Sequence, residues 1–441
     1  MLKSSALLTD RYELTMLQAA RHSGVADRQA VFEVFARSLP SGRRYGVFAG
    51  TGRLLERIRD FKFNEDELSF LADNKVVDAE TLNWLANYRF SGNISGYREG
   101  ELYFAHSPVL TVEASFAEAV LLETVVLSVL NFDTAVASAA ARMKSVAAGR
   151  SLAEMGSRRV SEIAAVAAAR AAYIAGFAAT SNLEAGRSWG IPTMGTAAHA
   201  FTLVHDTEEA AFRAQIETFG TATTLLVDTY NIENGVCKAI EVAGTELGAV
   251  RIDSGDLAIE VAKVRNLLDE LGAKNTRITV TNDLDEYAIA ALAAVPVDAY
   301  GVGTSVVTGS GAPTAGFVYK LVSHQSPTGE WINVAKTSAQ KANLAGRKTA
   351  VRRHDSTGTA TAELVHAQTS LEIAERTNLE PNSTDRNLIV DLIVNGAPDE
   401  QFVGITGTQN ARSHHAFAIS AMPAQALRLT RGEAGIATVL S

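Results

Sequence analysis

Cysteine is almost absent from this 441-residue chain, where Cys237 stands alone. No intrachain disulfide can form, and a thiolate zinc site is excluded. Cys237 sits in NIENGVCKAIEVAG, where Ile232, Val236, Ile240 and Ala243 share a helical face, so it reads as packing filler. A long basic run is missing too. With 40 Lys and Arg against 49 Asp and Glu, the net charge is −9, which argues against a nucleic-acid or anionic-membrane partner. Any anionic ligand then needs a local site. No apolar stretch reads as long enough to cross a bilayer. Asp10, Arg11 and Glu13 fall where a signal peptide keeps its apolar core, so the expected location is cytoplasmic. His-x-x-His, HExxH and DxDxDG patterns are all lacking, so no direct protein metal cage is expected. Any metal should arrive with a substrate phosphate, as Mg²⁺ does.

What is present is ordinary for a globular protein: 47% hydrophobic and 20% charged residues. The length suggests two or three domains. Residues 1–110 are mixed, with strand-like runs such as AVFEVFARSL and GELYFAHSPVLTVEAS. From about 112 to 176 the chain is Ala-rich and helical, and ETVVLSVLNFDTAVASAAARM is apolar on several faces, as a buried helix would be. From about 176 onward, short apolar runs alternate with amphipathic helices, the pattern of βα units and a parallel sheet. TTLLVDTYN, GAVRID, TRITVTN and VDAYGVG read as strands. Between them, Leu257, Val261, Val264, Leu268 and Leu271 form one helical face, and Asp283 and Glu286 have the spacing of a capping box. The domains expected are 1–111, 112–325 and 326–441, the last packing with the first.

Each strand ends in polar or glycine residues, and in a barrel of parallel strands such ends gather on one rim, where ligands bind. RIDSGD (251–256) puts Arg251 and Asp253 on one face of a strand. Ser254 and Asp256 follow at a helix start, where either could serve as an N-cap. GVGTSVVTGSG (301–311) is either a tight turn or a phosphate cradle, and no Gly-Lys-Ser/Thr follows to make it a Walker A. GSRR (156–159) sets two guanidinium groups at an expected helix start, unfavourable there unless an anion is bound. In TDRYELTM (9–16), Tyr12 has the spacing of a core residue or of a stacking platform. In PTMGTAAHAF (192–201), small residues leave open space beside His199. A core histidine, a general base, a metal ligand and a phosphoryl acceptor all fit that stretch alone.

Together TDRYELTM, FEVFARSLPSGRRYGVFAG, GSRR, ATSNLEAG, MGTAAHAF, VDTYN, RIDSGDL, TNDLDEY and GVGTSVVTG occur in the order and spacing of the nicotinate phosphoribosyltransferases, which the chain resembles. The resemblance runs from about residue 9 to 320 and continues weakly through KTSAQKANLAGRKTAVRR. It implies an irregular α/β barrel of parallel strands beside a smaller mixed α/β domain built from both chain ends. It implies a homodimer with shared active sites that joins nicotinate to phosphoribosyl diphosphate, giving nicotinate mononucleotide and diphosphate. That is a step of NAD biosynthesis and pyridine nucleotide salvage, with ATP hydrolysis coupled through a phosphohistidine.

On that resemblance His199 is the phosphoryl acceptor, with Asp228 near it and the ribose. Tyr12, beside Asp10, stacks on the pyridine ring from the partner subunit. Arg251 and Arg158 hold substrate anions, and Asp253 and Asp256 hold the ribose hydroxyls or the Mg²⁺-diphosphate, with Ser254 between them. Asn282, Asp283, Gly301, Gly303 and Thr304 form the 5′-phosphate pocket. Thr180, Ser181 and Asn182 are neutral where the related nicotinamide enzymes carry an Asp, which favours the acid. Met155 stands where many relatives place an aromatic residue over the ring; it can pack there, being polarisable.

Three rivals remain to be weighed. The same fold could act on nicotinamide or quinolinate, against which stand the neutral 180–182 stretch and the His of GTAAH. A non-catalytic phosphate-binding barrel would not need His199 beside Arg251, Asp253 and Asp256. A Schiff-base aldolase needs a Lys at a strand end, and residues 176–303 offer none. His414 and His415 are left without a role.

Overall fold

Short apolar runs ending in Gly, Asp or Asn, each followed by an amphipathic helix, fold as parallel βα units. The computed structural model describes residues 4–336, 344–375 and 384–441. Part of KTSAQKANLAGRKTAVRR, residues 337–343, therefore lies outside the described residues. The chain forms two units, residues 139–313 and residues 1–138 with 314–441.

The first of these holds six parallel strands: β1 (Ser151–Glu154), β2 (Ala179–Thr180), β3 (Thr224–Leu226), β4 (Ala249–Ile252), β5 (Arg277–Val280) and β6 (Ala299–Val302). Their order is β2-β1-β6-β5-β4-β3, a curled half-barrel open between β2 and β3. The segment leading to His199 runs along that open edge. Thr180 N–H donates to Pro192 O and Met194 N–H to Thr180 O, both at 3.0 Å, so the segment continues the parallel pattern by a single bridge at Thr193. The strand β1 lies inside the region expected to be helical, and β3 stops at Leu226, so that Asp228 to Tyr230 belong to the turn.

Side-chain alternation does the positioning. In β4 the side chains of Val250 and Ile252 are fully buried, while Arg251 points to the opposite face. The following helix, Leu257–Glu270, buries Val261, Val264 and Leu268. Its cap is Asp256, whose Oδ1 accepts the N–H groups of Ala258 and Ile259, while Ser254 is turned elsewhere. The expected Asp283–Glu286 capping box does not form. Asp285 caps that helix instead, and Asp283 has a left-handed φ of 38° in the preceding turn. The helix Ile232–Ala243 approaches the end of β3 so closely that a Cβ on Gly235 would meet Val227 O at 2.2 Å.

One helix, Glu123–Val146, is long and apolar enough to cross a membrane by length and composition, contrary to the expectation from sequence. Most of its apolar window (72%) is buried inside the protein, as in the core helix of a soluble fold.

The other unit is built from both chain ends. Its seven-stranded antiparallel sheet runs in the order Trp331–Asn333, Phe317–Gln325, Gln29–Ala36, Leu110–Ser115, Asn93–Tyr97, Ile389–Val394, Ala397–Pro398. A four-stranded sheet contains Lys348–His354, Ala360–Ala367 and the terminal strand Ala437–Leu440. Between them lies a buried ionic network: Arg352 meets Glu363 at 2.7 Å and Glu101 at 3.7 Å, and Glu101 takes Arg386 at 2.7 Å and His414 at 2.8 Å. Burial alone would push the Glu101 carboxyl up. The His414 hydrogen bond and the Arg352 and Arg386 guanidinium groups outweigh it and hold Glu101 below the usual carboxylate range. His415 is buried, with Nδ1 at 3.0 Å from Gly100 O, and burial depresses it to about 4. Both histidines left without a role therefore anchor the helix Gly404–Ser420.

Candidate active site

At the carboxyl ends of β1, β4, β5 and β6 lies a polar cavity of about 190 Å³. Arg251, Asp253 and Thr281 form one wall of it. Arg251 Nε donates to Thr281 Oγ1 at 2.9 Å, and Thr281 donates to Asp253 Oδ1. Arg251 Nη2 stands 3.5 Å from Asp253 Oδ2. The guanidinium also reaches toward His199, since Nη1 donates to Thr196 Oγ1 at 2.8 Å and to Ala197 O at 3.1 Å. Thr281 thus couples the two residues whose shared strand face the sequence shows.

Asn282, Asp283, Gly301, Gly303 and Thr304 also line the cavity. The helix after Gly303 is a single turn, Thr304–Val307. Gly301 has no room for a side chain: a Cβ there would lie 2.6 Å from Met155 Sδ and 2.7 Å from Thr281 Cγ2. Arg158 and Arg159 complete the lining. They do not begin a helix as expected. The helix starts at Glu162 behind Ser161, leaving the two guanidinium groups exposed in the turn after β1. Three guanidinium groups against the carboxylates of Asp253 and Asp283 suit the cavity to an anion.

His199 opens the helix His199–Leu203 with its ring partly exposed. Its Nε2 stands 3.0 Å from Oδ1 of Asp228, whose side chain is buried. A carboxylate only accepts, so Nε2 carries a proton, and in the neutral ring Nδ1 has the lone pair. The other oxygen, Oδ2, accepts the Asp253 N–H at 2.9 Å and the Ser254 hydroxyl at 2.6 Å. Asp228 therefore ties the histidine to the backbone of the Arg251–Asp253 wall.

Some expected site residues fall elsewhere. Asp256 is exposed at its cap, outside the cavity lining. Thr180 is buried. Asn182 is spent at both ends: its Oδ1 caps the helix Leu183–Trp189 through Ala185 N–H at 2.9 Å, and its Nδ2 donates to Ser157 Oγ at 3.0 Å. Ser181 alone of the three is exposed. Tyr12 and Asp10 belong to the unit made of both chain ends. There Tyr12 is exposed on the helix Arg11–His22, which buries Glu13, Leu14, Leu17 and Ala20, so the core reading of Tyr12 does not hold.

Sequence reasoning missed Glu154, Arg159 as a lining residue, and Thr281. Glu154 ends β1 fully buried, and burial pushes its carboxyl up against the pull of the Thr180 and Gly156 hydrogen bonds. An acid at period two from Leu152, just before GSRR, is the one signal the sequence offers for it. Among the described residues no group of three or more His, Cys, Asp or Glu side chains converges.

Fold and cavity together define a parallel α/β half-barrel protein with a cationic site at the carboxyl rim of its strands. Two family models extend this: the nicotinate phosphoribosyltransferase N-terminal domain matches residues 7–131, and the nicotinate phosphoribosyltransferase family matches residues 150–370. The chain belongs to the nicotinate phosphoribosyltransferase family. It is 54% identical over 442 residues to nicotinate phosphoribosyltransferase pncB1 of Mycobacterium tuberculosis, covering 98% of this chain and 95% of that one. To the nicotinate phosphoribosyltransferase of Bacillus subtilis it is 38% identical, over 79% of this chain and 73% of that one. The fold matches the crystal structure of human nicotinic acid phosphoribosyltransferase with a TM-score of 0.81, covering 98% and 97% of the two chains at 24% identity.

Proposed function

We propose that this protein joins nicotinate to phosphoribosyl diphosphate, forming nicotinate mononucleotide and diphosphate in NAD biosynthesis, and that ATP hydrolysis is coupled to the reaction through phosphorylation of His199. The observation that carries the coupling is the His199–Asp228 pair bonded to the wall that holds Arg251 and Asp253. The pyridine nitrogen attacks C1 of the ribose, the bond from C1 to the diphosphate oxygen breaks, and diphosphate leaves with the electron pair. Little proton movement is needed. The barrier falls through stabilisation of charge, by guanidinium groups on the departing diphosphate and by Asp253 near the cationic ribosyl centre. The loop from Gly301 to Thr304 takes the 5′-phosphate with Asn282 and Asp283.

In the coupled step Nδ1 of His199 attacks the terminal phosphorus of ATP, forming N–P as the bridging P–O bond breaks and ADP leaves. Asp228 retains the Nε2 proton and offsets the imidazolium charge. The phosphorylated ring then carries anionic oxygens next to the Arg251 segment. Water cleaves N–P after turnover, releasing phosphate. Coupling arises only if the two states of His199 differ in affinity for substrate and product.

Mg²⁺ fits this donor set as a metal that would arrive with the diphosphate and meet Asp253, the expected Asp256 lying outside the lining, and it would neutralise phosphate charge. A cytoplasmic homodimer, in which Tyr12 of one subunit stacks on the pyridine bound by the other, completes the reading. The exposure of Tyr12 supports it.

The test is diphosphate release with phosphoribosyl diphosphate and Mg²⁺, comparing nicotinate, nicotinamide and quinolinate, each with and without ATP. Turnover with nicotinate, accelerated by ATP, is the expected result. His199→Ala should keep the slow ATP-independent reaction and lose ATPase activity; equal ATP stimulation in mutant and wild type would defeat the phosphohistidine.

A further inference from the structure

We propose that Glu154 is a positioning residue for the base-binding part of this site, acting through a closed circuit of hydrogen bonds that joins the ends of β1 and β2. Its Oε1 accepts the Gly156 N–H, and its Oε2 accepts the Thr180 hydroxyl at 2.6 Å. Thr180 Oγ1 accepts the Asn182 N–H at 3.0 Å, and Asn182 Nδ2 donates to Ser157 Oγ at 3.0 Å. Ser157 adjoins Gly156, so the circuit closes. A backbone bond from Ser181 N–H to Glu154 O, 2.8 Å, lies inside it.

A fully buried carboxyl with no cation partner among the described residues is costly to place in a strand. Here both oxygens have donors, and each donor fixes a different strand end. Met155 sits between Glu154 and Gly156, with its own N–H on Val302 O at 2.7 Å. It is the one apolar side chain lining a cavity otherwise made of Arg, Asp, Asn, Thr and Gly. A planar, poorly charged ring has Met155 to pack on, while phosphate groups go to the guanidinium and glycine walls. Gly156 has no slack to absorb a shift, since a Cβ there would meet Val307 Cγ1 at 2.3 Å. The Glu154 clamp therefore sets where Met155 stands and how far it lies from Ser181. This inference rests on the nicotinate reading above.

The experiment varies nicotinate and phosphoribosyl diphosphate separately for wild type, Glu154→Ala, Glu154→Gln and Thr180→Val. Glu154→Ala should raise KM for nicotinate by about tenfold or more, while kcat and KM for phosphoribosyl diphosphate stay within about threefold. Thr180→Val, which removes one link of the circuit, should shift the same KM by a smaller factor. Glu154→Gln should restore it in part, because the amide oxygen takes the Gly156 N–H and the amide nitrogen donates to the second lone pair of Thr180 Oγ1, whose own hydroxyl hydrogen gives up its acceptor. Equal movement of both KM values in Glu154→Ala and Thr180→Val would overturn the proposal. So would a Glu154→Gln variant as impaired as Glu154→Ala, since charge and not geometry would then matter. Should Glu154→Ala fail to fold, Thr180→Val and Glu154→Gln decide by the same criteria. A wild type inert toward nicotinate would refute the activity itself; an active wild type whose variants never separate the two KM values would refute the circuit alone.

Discussion

Asp228→Asn changes one atom and should invert the chemistry of His199. The Oδ2 position of Asp228 accepts a backbone N–H from Asp253 at 2.9 Å, and that donor cannot turn away. The asparagine oxygen must take this place, which leaves its NH₂ group facing His199 where Oδ1 now stands at 3.0 Å from Nε2. To accept that donor, Nε2 gives up its proton and Nδ1 takes it, so the lone pair that attacks phosphorus is gone. Restoring the reactive tautomer faces two N–H groups toward each other, an unsatisfied pair costing about 1–3 kcal/mol. The imidazolium that forms also loses a charge-assisted hydrogen bond worth about 1.5–3 kcal/mol. Together these slow phosphoryl transfer by roughly 10²- to 10⁴-fold. The Asp253 and Ser254 bonds survive, so the fold and the ATP-independent reaction should persist within a fewfold. Single-turnover labelling with γ-³²P-ATP, read as acid-labile phosphoprotein, measures the first quantity, and diphosphate release without ATP the second. Asp228→Ala, which strands the Asp253 N–H, should damage both. Labelling of Asp228→Asn at the wild-type rate would refute the tautomer argument.

Gly301→Ala should lower kcat/KM by about tenfold or more, because its methyl would lie 2.7 Å from Thr281 Cγ2, and Thr281 cannot yield without releasing Arg251 and Asp253. Unchanged kinetics with an unchanged melting temperature would contradict that packing. Met155→Phe offers the base a larger face and should lower KM for nicotinate by about threefold; an unchanged or raised KM in steady-state kinetics would contradict packing of the base at this position. His415 is held near a pKa of about 4 by burial, below its unfolded value of about 6.5. Below that unfolded value the unfolded chain takes the proton first, so stability is full above pH 6.5 and falls by about 3 kcal/mol as pH drops toward 4. His415→Gln should flatten the decline of melting temperature across that window, and an identical slope would exclude His415 as its source.

The sequence by itself determined the periodic parts. Period-two alternation put Arg251 on the open face of β4, opposite buried Val250 and Ile252, and the three-to-four spacing of Val261, Val264 and Leu268 built the helix behind it. These features depend on neighbours in the chain, so they can be read locally. The ordered motifs carried the family for the same reason. Tertiary structure alone decided which polar groups remain free for a ligand. Asn182 reads as a neutral site residue, yet both ends of its side chain are used by Ala185 and Ser157. Glu154 passes for an ordinary strand residue until Thr180, 26 positions away, is brought to its carboxyl. Asp285 displaced Asp283 as a cap because the turn before it bends Asp283 into the left-handed region. His414 and His415 acquire partners only when the C-terminal helix meets Gly100 and Glu101, more than 300 residues earlier. Hydrogen-bond saturation is a property of the folded neighbourhood, and a linear reading has no access to it.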